Sequence, residues 1–211
     1  MFNQIPCGFG GRVTRSYVGG ASLGPINSSL SVSASVNLGT ETADRRVIIL
    51  CAGQSSTGTA TALNFSSFSM TGSPTFTTVY SVGGVFSGIG RASAIGLAHV
   101  PTGTSVTVTA NFSQSGTVTA ASLGLLVYSV YGLSSNTPYA DGAYGSYHLP
   151  TGSVAIALAH KVSAPTWTGA TQDAFQVICS GASYATDVEE TGRTISASGT
   201  NQERVTIWAP G

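Results

Sequence analysis

The 211-residue chain predicts an all-β fold: a single antiparallel β-sandwich, jelly-roll or immunoglobulin-like, of about nine to ten strands behind an extended N-terminal arm. Three observations lead there. Apolar residues alternate with small polar ones along most of the chain, and no stretch sustains a helical stripe. The 27 glycines and 8 prolines, together with Ser and Asn, cut the alternation into short runs. The length is sufficient to bury a core without a covalent staple.

Residues 1–37 read as the arm, rich in Gly and Ser with scattered apolar residues at Phe2, Ile5, Phe9, Tyr17 and Val18. One strand is expected within it, at "SLSVSASV". The sandwich domain spans 38–211. It opens at "DRRVIILCAG", where Asp44, Arg45 and Arg46 stop abruptly at Val47 to Leu50, an apolar run that suits a strand buried on both faces. Strands follow at "TALNFSSFSM", "PTFTTVYSV", "RASAIGLAHV", "SVTVTANFS", "ASLGLLVYSVYGL", "SVAIALAHKV", "DAFQVICSG" and "ERVTIWAP". Each combines β-branched or aromatic residues with a period of two and is bounded by turn residues. Two packed antiparallel sheets are the simplest arrangement of such a set.

Two nearly identical phrases, "HVPTGTSVTV" from His99 and "HLPTGSVAIA" from His148, recur in the chain. In each, an apolar residue precedes Pro-Thr-Gly and a strand follows. The segments Val100-Pro101-Thr102-Gly103 and Leu149-Pro150-Thr151-Gly152 therefore read as corners, type I turns with proline presetting φ at the second position. His99 and His148 are expected as strand-end imidazoles rather than as a metal pair, since no third ligand is in register with them.

Eight basic and eight acidic residues give a net charge of zero, with charged residues only 8% of the chain. The basic footprint of a nucleic-acid binder is absent. Few charges provide little repulsion between copies, so the composition points to a chain that works assembled, a homo-oligomer. Its surface must be built from Ser, Thr, Asn and Gln. No run reaches the length of a membrane span, and "MFNQIPCGFG" does not resemble a secretory leader, so release by lysis or a specialised export route is expected. Cys7, Cys51 and Cys179 follow no metal-ligand spacing; Cys51 and Cys179 end apolar runs and are expected as buried thiols.

No catalytic motif is present: no Gly-x-Ser-x-Gly elbow joins a strand to a helix, and His99, His148 and His160 lack a triad context. The carboxylates that a glycosidase pair would need are few, namely Asp141, Asp173, Asp187, Glu189, Glu190 and Glu203. The densest acidic stretch, "YATDVEETG", has oxygen ligands suited to calcium but reads better as a solvated loop. No cofactor and no metal is expected. The aromatic loop "TPYADGAYGSYHLP" places Tyr139, Tyr144 and Tyr147 among small residues, and Trp167 in "APTWTGAT" completes a candidate patch for a glycan or receptor. The alternative is that these rings close one end of the sandwich. Arg12 and Arg15 are candidates for pairing with acidic groups of a partner.

The succession "DRRVIILCAG", "GLAHVPTGTSVTVTANFS", "LGLLVYSVYGL", "PTWTGAT" and "RVTIWAPG" resembles a β-sandwich structural domain of virion proteins in tailed phages, prophages and gene-transfer particles of alphaproteobacterial type. The likeness covers about 44–211 and rests on turns and core strands, so it implies virion association without supplying catalytic residues. Such domains often sit in longer chains, whereas here one stands behind a short arm, the shape of an accessory coat protein. The expected function is therefore a structural protein on the particle surface, a capsid decoration or cement protein. Phe2, Ile5, Phe9, Tyr17 and Val18 would anchor its arm on the major capsid protein or another virion protein. The alternative is a spike, fibre or tail module that grips a host surface glycan through Tyr139, Tyr144, Tyr147 and Trp167. An enzyme acting on envelope glycans is a third reading, and it needs a facing carboxylate pair.

Overall fold

A computed structural model describes residues 11–26, 30–55, 61–115, 121–133, 135–199 and 202–211. It is all-β, and every strand pairing in it is antiparallel. Sixteen strands occur among the described residues, more than the nine or ten expected. The first eight are β1 (Thr14–Ile26), β2 (Ser31–Asn37), β3 (Arg46–Ser55), β4 (Leu63–Met70), β5 (Phe76–Phe86), β6 (Ile89–His99), β7 (Ser105–Gln114) and β8 (Ala121–Tyr131). They form one sheet in the order β1-β8-β3-β6-β5-β4-β7-β2.

That sheet rolls until its two outer strands meet, so it is nearly a barrel. A Cβ placed on Gly19 of β1 would lie 2.8 Å from Cγ1 of Val36 on β2, a distance only glycine permits. The barrel interior holds Val32, Val36, Val47, Ile49, Leu63, Val108, Phe112, Leu123 and Val127, all buried. Rolling a sheet this way removes most of its exposed edges.

The remaining strands are β9 (Ala140–Gly142), β10 (Gly145–Leu149), β11 (Val154–Lys161), β12 (Trp167–Thr168), β13 (Thr171–Gln176), β14 (Ile178–Ala185), β15 (Glu190–Ala197) and β16 (Gln202–Trp208). Five of them make a second sheet, β13-β14-β11-β16-β9, and three make a small one, β10-β15-β12. The five-stranded sheet packs one face on the outside of the barrel through Ile48, Leu50, Leu126, Tyr128, Ile156, Leu158, Ile178 and Trp208. Its other face packs under the small sheet through Leu149, Ala155, Ala157, Ile195, Val205 and Ile207.

This stacking explains the sequence patterns. Strands β3, β6, β8 and β11 are buried along almost their whole length because each has a packed layer on both sides. Strands β2 and β7 alternate buried and exposed because only their inner side faces a core.

The structure moves the arm boundary. Residues 14–26 and 31–37, read from sequence as an arm with one strand at "SLSVSASV", are two strands of the barrel, β2 being the expected one. β1 pairs with β8 from Thr14↔Tyr131 to Ile26↔Ala121, and β2 pairs with β7 from Ser31↔Asn111 to Asn37↔Ser105. Glycines 19 and 20 obscured the period of β1, but β8 offers it a long buried edge, and tertiary pairing outweighs weak local preference.

The repeated phrases are corners on two different sheets. The first joins β6 to β7 in the barrel and the second joins β10 to β11. Their glycines share a left-handed φ, +84° at Gly103 and +73° at Gly152. In the second copy the turn hydrogen bond runs from the Ser153 N–H to the Pro150 carbonyl at 3.1 Å. Proline is thus the first residue of the turn and glycine the third, the position where a type II turn needs positive φ. The expected type I turn beginning at Leu149 is corrected by one residue.

Candidate functional site

The three acids between β14 and the start of β15 take separate partners. In the acidic loop, Asp187 meets Arg12 (3.1 Å), Glu189 meets His148 (3.6 Å) and Glu190 meets Arg193 (3.7 Å), so each acid turns to a different side chain. Glu190 also accepts a hydrogen bond from the Tyr184 hydroxyl at 2.5 Å, which lowers the Glu190 carboxyl below its usual range and raises the Tyr184 phenol. The Arg193 guanidinium lies 3.8 Å over the Tyr184 ring. Among the described residues no group of three or more His, Cys, Asp or Glu side chains could hold a metal. Arg12, expected to seek a partner's acid, is used within the chain.

Asp173 has a different role. Its Oδ2 accepts from the Tyr128 hydroxyl (3.2 Å) and from the Ser183 hydroxyl (2.5 Å) where the five-stranded sheet meets the barrel. Burial, reinforced by the Asp173 charge, pushes the Tyr128 phenol well up, so it stays protonated and donates. Tyr17 packs edge-on against Tyr128 with ring centroids 5.7 Å apart. The cluster pins one layer to the next.

The histidines serve local ends. A ring N–H of His99 donates from Nε2 to the Ala43 carbonyl at 2.7 Å, the strand-end role expected of it. His148 stands beside Glu189 and 5.9 Å from the Tyr139 ring. His160 is fully buried on β11. The three lie in different settings.

The four aromatic candidates separate into one exposed ring and three packed ones. Tyr144 and Trp167 make an edge contact at 6.0 Å, and with Tyr147 they cover the core beneath the small sheet. The Trp167 indole N–H donates to the Ser180 hydroxyl at 3.2 Å, and the Tyr147 hydroxyl donates to the Ala143 carbonyl. These three rings are partly buried against that core. Tyr139 is 53% exposed and is the ring left for a ligand.

Of the arm anchors, Phe2, Ile5 and Phe9 lie outside the described residues. Tyr17 and Val18 are half-buried in β1, against the layer interface and the barrel interior respectively. Their place in the barrel corrects the expectation that both project to a neighbour.

One surface went unnoticed in the sequence. Adjacent strands β4, β7 and β2 contain no charged residue, and their outer sides carry a ladder of cross-strand hydrogen bonds. Ser33 bonds Thr109 (2.7 Å), Ser35 bonds Thr107 (3.1 Å), Ser31 bonds Asn111 (2.8 Å), and Asn111 reaches on to Ser67 (3.2 Å). The signal was available in "SVSASV" and "SVTVTANFS", where every second residue is a hydroxyl or amide. It looked like ordinary alternation.

Two grooves border this architecture. A groove of about 400 Å³ at the barrel end is lined by Thr71, Pro74, His99, Pro101, Thr102 and Ser105. A smaller one of about 230 Å³ runs between β5 and the segment leading into β9, and Asp141 lines it.

No family model and no curated protein matches the chain. Among solved structures, dimeric latent PorU from Porphyromonas gingivalis is similar at 11% identity with a TM-score of 0.35, over 94% of this chain and 21% of that one. A likeness at that level sets no function for this chain, which is left to its own surfaces.

Proposed function

We propose that this chain is a non-enzymatic structural protein of a virion surface, a capsid decoration or cement protein that packs as a homo-oligomer, a trimer, on the major capsid protein. The observation that supports this reading is the uncharged hydroxyl face of β2, β7 and β4. Such a face can seat against another copy or a shell protein without like-charge repulsion, and rotating hydroxyls adapt their hydrogen bonds to the surface they meet. The separate partners of Asp141, Asp173, Asp187, Glu189 and Glu190 favour a non-enzymatic role over glycoside cleavage. In this reading the packing role passes from Tyr17 and Val18 to the hydroxyl face, and Phe2, Ile5 and Phe9 remain the arm's contacts.

The test uses particles that lack the protein and particles that carry the Ser35→Glu, Thr107→Glu double variant, each subjected to heat and osmotic shock. Earlier genome loss in both is expected, with the variant still folded by circular dichroism. Genome retention equal to that of unaltered particles in both cases would remove the cementing role.

A second reading, a module that grips a host surface glycan, is favoured by the exposed Tyr139 ring beside His148. Weak single contacts would be multiplied over many copies on a particle. Impaired host adsorption with normal particle stability, on changing Tyr139→Ala, is its expected signature.

A further inference from the structure

We infer that the groove between β5 and residues 136–141 binds one ring of a neutral pyranoside, with Asp141 as the fixed acceptor for its hydroxyls. The inference rests on the glycan reading and gives it a location; it is independent of packing through the hydroxyl face.

The groove is an open depression of about 230 Å³, below the roughly 300–1,000 Å³ typical of clefts for drug-sized ligands, and so suits a single small ring. Asp141 is preorganised there. Its Oδ2 accepts from Arg204 through both Nε (3.1 Å) and Nη2, and Arg204 is itself held 4.8 Å over the Tyr80 ring. A carboxylate has capacity for about four hydrogen bonds, so the arginine does not exhaust it. The Arg204 pair offsets the charge of Asp141, so the carboxylate serves as a hydrogen-bond acceptor rather than as an open cation site.

The other lining groups supply what a polyol needs. Thr77, Thr78 and Thr137 offer hydroxyls that donate or accept. The Asn136 Oδ1 is occupied by the Arg46 Nε at 2.6 Å, which leaves the amide NH₂ to donate. Val79 and Pro138 give an apolar strip for ring C–H groups, and the exposed Tyr139 lies in sequence between Pro138 and Asp141. Donors, acceptors and an apolar strip in one small groove match a sugar ring better than a peptide or a nucleotide.

The test is a titration of the ¹⁵N-labelled full chain with four probes: the methyl glycosides of glucose, mannose, galactose and N-acetylglucosamine. Each is raised to about 100 mM, since a single ring binds weakly. Saturable shifts of the Thr77, Thr78 and Thr137 amides with at least one probe are expected. Asp141→Asn and Thr78→Val should each weaken that binding about tenfold. The Thr78→Val change leaves the Asp141–Arg204 pair in place, so a loss of binding there cannot be assigned to a broken fold. Absence of shifts with all four probes, or shifts unchanged in both variants, overturns the groove. A glycan array read in parallel separates the two levels: binding of an oligosaccharide with no response at Thr77, Thr78 or Thr137 keeps the glycan reading and discards this site.

Discussion

Arg45 donates from Nε to the carbonyl of Val100 at 2.8 Å, a fully buried guanidinium bonded to the backbone of the first Pro-Thr-Gly corner. Its other nitrogens donate to the carbonyls of Gly39, Thr40 and Gly103. One cation thus ties the segment before β3 to the β6–β7 corner, and it does so through carbonyl dipoles. Arg45→Ala leaves the buried Val100 carbonyl without its donor, removes three further bonds to the backbone and empties the space of a fully buried side chain, and is expected to cost about 3 kcal/mol. Arg45→Lys should recover only part of this, because an ammonium cannot reproduce the planar fork. Urea unfolding midpoints measure both, and an Arg45→Ala loss below about 1 kcal/mol would show that water replaces the fork.

The β5–β6 hairpin turns through Ser87 and Gly88, flanked by the pair Phe86↔Ile89, with φ of 52° and 76°. Two consecutive positive φ values define the type I′ turn that matches strand twist. Nothing lies within 4 Å of a Cβ at Gly88, so Gly88→Ala tests the backbone alone. It should destabilise by about 1 kcal/mol. Ser87→Asn should stabilise by a few tenths of a kcal/mol, because asparagine tolerates the left-handed region better than serine. Thermal melts of the two variants moving in the same direction would contradict the turn assignment.

Strands with a packed layer on each side were legible because their composition permits nothing else: "VIIL" at 47–50 and "VAIALA" at 154–159 have no polar side to present. The split of "DAFQVICSG" into β13 and β14 was not legible. Its two-residue turn is Val177-Ile178, with none of the usual turn residues, and Ile178 holds φ 63° while fully buried between the layers. Burial of that side chain offsets an unfavourable backbone conformation, a trade that only the tertiary structure reveals. The aromatic loop was half legible. Its tyrosines were visible, but which of them faces water depends on the small sheet formed with β15, whose polar sequence "ETGRTISA" gave no strong strand signal.

Cys51 and Cys179 are buried free thiols, and desolvation raises both pKa values well above the ordinary thiol range. Neither should react with iodoacetamide in the native protein at neutral pH. Both should react fully in denaturant, as peptide mass analysis would show. Native labelling of Cys51 would mean that the barrel interior opens readily, and native labelling of Cys179 that the layer interface does.

Glu203 on β16 lies opposite Ala159 of β11, and partial burial pushes its carboxyl up to about 7. A carboxyl raised in the folded state binds its proton more tightly there than in the unfolded chain. Its contribution is therefore fully present below the unfolded value near 4.5 and is lost as pH rises through about 7. Solvent screening of this partly exposed group limits the loss to about 1 kcal/mol. Glu203→Gln should flatten stability between these limits. A profile unchanged by the substitution would place the titration on another group.

Gly124 on β8 marks a close approach of the two layers. A Cβ there would lie 2.6 Å from the Cys179 Cβ, 2.6 Å from the Val177 carbonyl and 2.7 Å from the Gln176 carbonyl. Two of these contacts are backbone, and the third is the root of a buried side chain, so no flexible group can yield. The β13–β14 hairpin would have to lift, pulling Ile178 from the interface core and Asp173 from Tyr128. Gly124→Ala is thus expected to cost about 3 kcal/mol or more, the scale of overpacking added to lost burial. Gly24→Ala, in β1 with no atom near its Cβ, is the matched control and should cost less than about 1 kcal/mol. Denaturant unfolding of the pair decides the matter: equal losses would mean that the five-stranded sheet does not seat on β8 through this glycine.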